Sequence, residues 1–321
     1  MSMQTNKSLP MYFPPSPFSL SDAVMCSTLV NTAYDMYQQW ANQGAPSNPS
    51  KFSWTPNGPS LLYSAPLWGV AKMVESYPEP FAFVAQNKTS GVTYLAFRGS
   101  ETDADFYEDA FLDQATYDPV VPGYGYVHWG FMDVYTRSYS SWEYKVAPLR
   151  TSILNVLISL QTSTKALYIT GHSLGAGLST LSVPDIAINS PFKSKQIPMF
   201  HYSLASPRVG DPTFAQKYNF QLPFKTFRIV NTEDIVPDGP PSVSDNYIYE
   251  HVGTIVAYTA QYGTTGGNHD HLNSYYYALN HPTQPQGPTV SSGEYGSLRM
   301  AAARRQRLIQ KGEPAPEESG Q

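Results

Sequence analysis

Residues 166–177 read Ala-Leu-Tyr-Ile-Thr-Gly-His-Ser-Leu-Gly-Ala-Gly, an apolar run followed directly by a cluster of small residues. Such a run predicts a buried strand, and the helical pattern over 174–188 predicts a helix after it. Ser173 would then lie on a tight strand-to-helix turn that lifts its hydroxyl out of the sheet. Because only small flanking residues let the two segments approach, Gly171 and Gly175 support this turn. The pattern therefore predicts Ser173 as a nucleophile.

The same turn predicts a place for negative charge beside Ser173. The backbone N–H of Leu174 lies at the positive end of the predicted helix and would face an oxygen that becomes negative during attack. A Gly-x-Ser-x-Gly pattern alone is weak evidence for a nucleophile. The alternative interpretation is a glycine-rich strand-to-helix connection without a catalytic role. His172 and the run of small residues exceed what such a connection requires. We therefore expect the Leu174 N–H to donate to an oxyanion.

Strand-like and helix-like segments alternate along the chain. After the turn the pattern predicts a strand at 199–205, a helix at 212–220, a strand at 224–230 and a strand or hairpin at 247–259. Before it the pattern predicts a helix capped by Ser19 or Ser21, a hairpin around 87–91 and a largely helical stretch at 131–160. This alternation predicts an α/β fold with a mostly parallel central sheet and helices on both faces.

Composition excludes several classes of function. The 321 residues carry 20 Lys+Arg against 25 Asp+Glu, a formal net charge of −5, which argues against a basic nucleic-acid binder. Apolar residues make up 41% and charged residues 14%, so a large core is available and global disorder is excluded. The single cysteine, Cys26, excludes an intramolecular disulfide and a multi-thiolate zinc site.

The two ends of the chain differ from its middle. We expect one domain over 1–285 and a polar, flexible tail over 286–321, for which a basic helix on an anionic membrane is the alternative. Residues 1–17 lack the apolar stretch of a secretory signal, and no window reaches the ~18 apolar residues that cross a bilayer. The absent signal and disulfides favour the cytoplasm, whereas the Tyr-, Ser-, Thr- and Pro-rich composition suits an exported protein whose signal was removed. Localisation and oligomeric state stay open.

A serine hydroxyl needs a general base, and that base must be one of seven histidines. With this turn the chain order is Ser, then Asp or Glu, then His. That order, strand-like surroundings and proximity to the tail exclude five of them: His128, His172, His201, His251 and His281. The residues alone leave His269 and His271.

The acid that orients the imidazole is expected where a strand ends, because α/β active sites are built at the carboxyl ends of strands. Residues 231–237 directly follow the predicted strand at 224–230. Asp234 precedes an apolar pair and can be buried, as an orienting carboxylate should be. Glu233 and Asp238 are the alternatives, and both are expected to face solvent.

Several further motifs accompany the turn in a fixed order. They are Ala96-Phe97-Arg98-Gly99-Ser100, Val127-His128-Trp129-Gly130-Phe131, Ser206-Pro207-Arg208-Val209-Gly210-Asp211, 231–237 and Asp270-His271-Leu272-Asn273-Ser274-Tyr275-Tyr276. Together they resemble the class 3 lipases, the fungal-type, Rhizomucor-like α/β-hydrolases, over most of the chain. The resemblance implies Ser173 as nucleophile, Asp234 as acid and His271 as base. It also implies that Ser100 supplies an N–H and a hydroxyl to the oxyanion hole beside Leu174.

The resemblance further implies a short amphipathic lid after Ser100. The segment 101–113 has six acidic residues opposite an apolar face, whose members are Phe106, Tyr107, Ala110, Phe111 and Leu112. A mobile flap that opens at a lipid surface and a fixed acidic loop are the two interpretations. The Pro- and Gly-rich insertion at 114–126 is expected to shape the acyl or alcohol pocket. The lone Cys26 separates this chain from the disulfide-bonded secreted members.

Chemistry and resemblance together imply a serine carboxylic-ester hydrolase that forms an acyl-enzyme. Triacylglycerols at a lipid–water interface are the expected substrates. A short-chain carboxylesterase or feruloyl-type esterase and a phospholipase or galactolipase are the alternatives, and a non-catalytic lipid-binding relative is disfavoured by the intact set of Ser173, Asp234 and His271. No metal or organic cofactor is expected, because this chemistry requires none. Calcium at the acids of 101–113 is the alternative, although these acids lack the spacing of a dedicated calcium loop.

Overall fold

A computed structural model describes residues 8–14, 17–71, 75–100, 112–222, 224–244 and 246–287. The helices are α1 (Leu20–Asn42), α2 (Trp129–Thr136), α3 (Leu149–Ser159), α4 (Leu174–Asn189), α5 (Pro212–Gln221), α6 (Thr265–His269) and α7 (Tyr277–Asn280), with a π-helix at His271–Tyr276 and 3₁₀ turns at Pro49–Lys51 and Val236–Asp238. The strands are β1 (Ser8–Leu9), β2 (Leu62–Tyr63), β3 (Leu67–Ala71), β4 (Glu75–Gln86), β5 (Val92–Phe97), β6 (Gln114–Thr116), β7 (Tyr126–His128), β8 (Tyr139–Ser140), β9 (Lys145–Val146), β10 (Ala166–His172), β11 (Met199–Leu204), β12 (Lys225–Asn231) and β13 (Thr254–Ala260).

One mixed sheet runs through the described residues. Its nine strands have the order β1-β13-β12-β11-β10-β5-β4-β2, with β3 paired to β4. β5 and β10 to β13 are parallel, whereas the strands at the two edges pair antiparallel. β4 and β5 form the hairpin predicted around 87–91. The mostly parallel central sheet predicted from the sequence is confirmed, and β10 lies near its middle.

Side chains of β10 divide between two cores because successive residues of a strand point to opposite faces. Leu167 and Ile169 pack in the core shared with α2, α3, α4 and α5, where they meet Leu178. Tyr168 packs on the other face, in the core beneath α1 and α7 with Val30. Helices therefore cover both faces of the sheet, and the carboxyl end of β10 emerges between them.

Helix α1 is the longest of the described helices and packs against the sheet. Its cap is Ser19, whose hydroxyl accepts the N–H of Asp22 at 3.2 Å. Apolar residues at helical spacing, including Cys26 and Leu29, are fully buried, and Gly44 follows the helix with φ 82°. The predicted helix and the core position of Cys26 are confirmed. Across the described ranges, no helix combines the length and apolar character needed to cross a membrane.

The stretch 131–160 differs from the single helical region predicted for it. α2 ends at Thr136 and α3 begins after Pro148, with the hairpin β8–β9 between them. The backbone N–H of Ser141 donates to the carbonyl oxygen of Tyr144 at 3.0 Å and closes the turn. Tyr139 stacks on Tyr144 with ring centroids 5.3 Å apart. Two aromatic residues of the stretch predicted as helical thus pair across a hairpin instead.

Candidate active site

Ser173 lies between the last residue of β10 and the first residue of α4, as the sequence pattern predicts. Its backbone has φ 58° and ψ −127°. A positive φ costs a residue with a Cβ ~1–3 kcal/mol, so the surrounding structure must hold the turn in place. The residue is buried. The strand and the helix on its two sides supply that constraint.

Two glycines let the strand, the helix and the end of β5 meet at Ser173. A Cβ on Gly171 would collide with the carbonyl oxygen of Gly175, and a Cβ on Gly175 would collide with the carbonyl oxygen of Arg98. Backbone atoms on both sides leave no room to adjust, so both positions require glycine. The close approach brings the residues after β5 next to Ser173.

Three side chains form a hydrogen-bonded chain at the carboxyl ends of β10 and β12. The Oγ of Ser173 lies 2.8 Å from Nε2 of His269, and Nδ1 of His269 lies 2.8 Å from Oδ2 of Asp234. A carboxylate oxygen only accepts, so Nδ1 carries the hydrogen and Nε2 is left to accept the serine proton. This is the geometry that activation of a serine hydroxyl requires.

Asp234 is held by two further donors. Its Oδ2 accepts the hydroxyl of Tyr275 at 2.6 Å, and its Oδ1 accepts the backbone N–H of Val236 at 3.0 Å. Burial, together with the nearby Asp234, raises the pKa of Tyr275 well above its usual value, so the phenol remains a donor. The role of Tyr275 was not foreseen from the sequence; its place in the Asp270–Tyr276 motif was the available signal.

The prediction that His271 acts as the base is wrong in this structure. His271 opens the π-helix, and its ring contacts α1: Nδ1 lies 2.8 Å from Oδ1 of Asn31, and Nε2 lies 3.1 Å from Oγ of Ser27. Asp270, which caps the π-helix, lies between His269 and His271 in the chain. The two histidines therefore have different partners. Burial lowers the pKa of His271 to about 3, which leaves the ring neutral. His269, the alternative left by the residues alone, occupies the position beside the nucleophile.

His172, which precedes Ser173, contacts the backbone of His269. Its Nε2 lies 3.0 Å from the carbonyl oxygen of His269, and its Nδ1 lies 2.8 Å from the hydroxyl of Tyr34. Since a carbonyl only accepts, Nε2 carries the hydrogen and Nδ1 accepts from Tyr34. Burial, reinforced by His269 and His271, lowers the pKa of His172 well below its usual value. His172 is therefore a neutral donor to the peptide carbonyl of His269.

The two predicted oxyanion donors belong to segments that meet Ser173, namely the start of α4 and the end of β5. Leu174 is the first residue of α4, where N–H groups lack acceptors within the helix and the dipole is positive. Ser100 follows Gly99, and a Cβ on Gly99 would lie 3.0 Å from Cβ of Ser173. The chain after β5 thus passes directly beside the nucleophile. The roles of Ser100 and Leu174 as donors stay predictions.

Most of the lid prediction falls outside the described residues. Phe106, Tyr107, Ala110 and Phe111 belong to the undescribed range 101–111. Leu112 is described: it is 38% exposed, and its carbonyl oxygen accepts the hydroxyl of Tyr249 at 2.9 Å. The insertion at 114–126 contains β6 and packs four apolar residues into the core, namely Tyr117, Val120, Val121 and Tyr124.

The other described histidines have structural partners. His201 lies between the hydroxyls of Ser179 and Tyr218, at 2.8 and 2.7 Å, and burial lowers its pKa to about 3. His128 accepts the backbone N–H of Gly130 at the start of α2. The remaining two bond backbone carbonyl oxygens, His251 that of Pro237 and His281 that of Tyr277.

The alternative acids do not reach the imidazole. Glu233 accepts from the side-chain amide of Gln261 at 2.6 Å, and Asp238 is exposed. No group of three or more His, Cys, Asp and Glu side chains with the arrangement of a metal site occurs in the part of the chain that the structure describes.

Comparison with known sequences finds similarity to lipases and phospholipases. Residues 94–244 match the family described as Lipase (class 3). Phospholipase A1-II 3 of Oryza sativa subsp. indica is 34% identical over 172 residues, which cover 50% of this chain and 41% of the relative. Phospholipase A1-IIalpha of Arabidopsis thaliana is 31% identical over 137 residues, which cover 40% of this chain and 31% of the relative. The chain spans less than half the length of these curated relatives.

Solved structures show the same fold. The native Rhizomucor miehei lipase propeptide complex superposes with a TM-score of 0.54 at 24% identity, covering 77% of this chain and 70% of that one. A lipase from Rhizopus microsporus var. chinensis superposes with a TM-score of 0.52 at 18% identity, covering 80% of this chain and 84% of that one. Residues 94–244 are thus similar to the class 3 lipases, and the sheet of this chain has the α/β-hydrolase fold of the fungal lipases.

Proposed function

We propose that this protein hydrolyses carboxylic esters of lipids, with triacylglycerols as its first substrate class. The observation that carries the proposal is the hydrogen-bonded chain from Ser173 through His269 to Asp234, with 2.8 Å on each side of the imidazole. The match of residues 94–244 to the class 3 lipases supports the same chemistry.

The reaction proceeds by acyl transfer through Ser173. Its Oγ attacks the ester carbonyl carbon while Nε2 of His269 takes the hydroxyl proton, and Asp234 stabilises the imidazolium that forms. The carbonyl oxygen, now negative, accepts the N–H groups of Ser100 and Leu174. The intermediate collapses, and the leaving alcohol takes the proton from His269. Water then gives a proton to His269, attacks the acyl-enzyme and releases the carboxylic acid, which restores the Ser173 hydroxyl.

Apolar side chains at the surface support a lipid substrate. Ile235, which follows Asp234, is 43% exposed. Leu272, three residues after His269, is 50% exposed. Leu112, at the end of the predicted lid, is 38% exposed. Exposed apolar groups that flank a site favour contact with acyl chains or with a lipid surface. The low fraction of charged residues, 14%, also favours an uncharged, apolar substrate.

Hydrolysis of triolein emulsions and of p-nitrophenyl esters from acetate to palmitate tests the proposal. We expect triolein turnover, faster cleavage of the longer esters, and a loss of about 10⁴-fold or more in Ser173→Ala with an unchanged circular dichroism spectrum. Activity confined to short soluble esters would replace the lipase by a carboxylesterase or feruloyl-type esterase. Absence of both activity and phosphonate labelling of Ser173 would leave a non-catalytic lipid-binding relative.

Phospholipid hydrolysis is the second candidate function, and the sequence relatives favour it. Both plant proteins compared above are phospholipases A1, at 34% and 31% identity. A phosphatidylcholine with different acyl chains at its two positions separates the candidates. Release of the 1-acyl chain faster than turnover of triolein would assign a phospholipase A1, whereas triolein turnover without that release would retain the triacylglycerol lipase. A galactolipid substrate in the same assay tests the galactolipase alternative.

A further inference from the structure

Three polar side chains of α1 contact the histidines around the nucleophile. Ser27, Asn31 and Tyr34 are spaced by four and three residues, which places them on one face of the helix. Ser27 and Asn31 bond the two ring nitrogens of His271, and Tyr34 bonds Nδ1 of His172. We call these five residues, Ser27, Asn31, Tyr34, His172 and His271, the histidine bracket.

Each imidazole of the histidine bracket has both nitrogens paired. With the Oδ1 of Asn31 as an acceptor, Nδ1 of His271 carries the hydrogen, and Nε2 accepts the hydroxyl of Ser27. In His172 the order is reversed, since Nδ1 accepts from Tyr34 and Nε2 donates. Burial lowers the pKa of both rings, so both are neutral and each is restricted to one tautomer and one orientation.

The histidine bracket contacts His269 at its backbone carbonyl and at its ring. The Nε2 of His172 donates to the carbonyl oxygen of His269 at 3.0 Å, and the two rings pack with centroids 4.6 Å apart. His271 is two residues further along the chain and is anchored to α1. The rings of His172 and His271 also meet edge to face, with centroids 5.0 Å apart. A shift of α1 would therefore be transmitted to the peptide groups on both sides of Asp270.

We propose that the histidine bracket positions His269, so that α1 sets the distance between its Nε2 and the Oγ of Ser173. The inference rests on the proposed ester hydrolysis, because the histidine bracket acts only through the base. Its members are positioning residues, since their bonds go to one another and to the backbone of His269. The arrangement also gives the second histidine of His269-Asp270-His271 a task that a purely apolar ring would not perform.

Variants that break the bonds of His271 test the inference. Asn31→Leu and His271→Phe remove the hydrogen bonds while largely keeping side-chain volume. We expect kcat for p-nitrophenyl butyrate to fall about tenfold, because ångström-scale misplacement near reacting atoms costs up to ~10²-fold, while KM changes by less than about twofold. His271→Asn keeps an N–H toward Asn31 and should restore part of the lost kcat.

Two small changes on neighbouring residues of α1 supply a matched pair. Ser27→Ala removes only the hydroxyl that bonds His271, and we expect kcat to fall about threefold. Thr28→Ala removes a hydroxyl that bonds the carbonyl oxygen of Val24 at 2.8 Å, and we expect wild-type kcat. Thermal unfolding of every variant, followed by circular dichroism, reports whether the fold is retained.

The outcomes separate this inference from the proposed function. Wild-type kcat in Asn31→Leu, His271→Phe and Ser27→Ala would overturn the inference and leave the hydrolase intact. A loss that follows the melting temperature, raises KM and is not restored by His271→Asn would also overturn it, because the residues would then act only on the fold. A Ser173→Ala variant with wild-type rates would instead refute the proposed function itself.

Discussion

Replacement of Ser173 by glycine is expected to leave a more stable protein than replacement by alanine. Ser173 has φ 58°, a backbone conformation that disfavours every residue with a Cβ. Serine and alanine both have a Cβ, whereas glycine has none. Since both variants lack the hydroxyl, the difference between them isolates the backbone at the turn.

The magnitude follows from two opposing terms. Release of the strain at a positive φ stabilises the glycine variant by ~1–3 kcal/mol. The greater freedom of glycine in the unfolded chain opposes this by ~0.4–1 kcal/mol. The free energy of unfolding of Ser173→Gly should therefore exceed that of Ser173→Ala by about 1 kcal/mol.

Urea unfolding followed by circular dichroism and tryptophan fluorescence measures this difference. Ser152, within α3, provides the matched control, because glycine in a helix is about 1 kcal/mol less stable than alanine. Glycine should therefore give the more stable variant at position 173, and alanine should give the more stable variant at position 152. If Ser173→Gly is no more stable than Ser173→Ala, the turn is not strained and the reasoning from its backbone angles is refuted.

Two further predictions concern buried groups. Tyr275→Phe removes a hydroxyl 2.6 Å from Oδ2 of Asp234 and should lower the free energy of unfolding in urea by ~1.5–3 kcal/mol, the range for a bond to a charged group; an unchanged value would show that this bond adds no stability. His201 is neutral in the fold because burial lowers its pKa to about 3, whereas in the unfolded chain it takes up a proton below about pH 6.5. Its contribution to stability is therefore present above that pH and is lost as the pH falls toward 3, so His201→Gln should lose about 2 kcal/mol less than the wild type between pH 6 and pH 4. Parallel loss in both proteins, measured by urea unfolding at each pH, would contradict a neutral buried His201.

The turn at Ser173 was predictable because its constraints are local. Gly171 and Gly175 are required by backbone atoms within the turn and at the neighbouring end of β5, and glycines are visible in the sequence. The position of Asp234 was predictable because β12 ends just before it. In both cases the deciding physics lies within a few residues or follows from strand direction alone.

The identity of the base depends on contacts that the spacing of residues does not encode. His269 and His271 lie two residues apart, and both were compatible with the chain order of the site. The partners of His271, Ser27 and Asn31, lie more than 200 residues away in sequence, on α1. Asp270 caps the π-helix, so His271 lies within that helix and His269 lies before it. The ring of His269 is the one that reaches Ser173. The resemblance to a family motif therefore pointed to the wrong member of the pair.

The break in the predicted helix at 131–160 has a similar origin. A short hairpin of two-residue strands has too few alternating positions to show a period of two. Tyr139 and Tyr144 stack across the turn, and this contact is not visible in the spacing of residues along the chain. α1 was predictable because its 23 residues repeat the helical spacing of apolar residues over several turns.

A crystal structure of the protein inactivated by a phosphonate ester tests the central claim most directly, because it identifies the nucleophile and the base together. We predict phosphorus bonded to Oγ of Ser173, Nε2 of His269 about 3 Å from that oxygen or from the alkoxy oxygen of the phosphonate, and Nδ1 of His269 still on Asp234. The phosphoryl oxygen should accept the N–H groups of Ser100 and Leu174. Phosphorus on another residue, or His271 in place of His269 beside Ser173, would contradict the account.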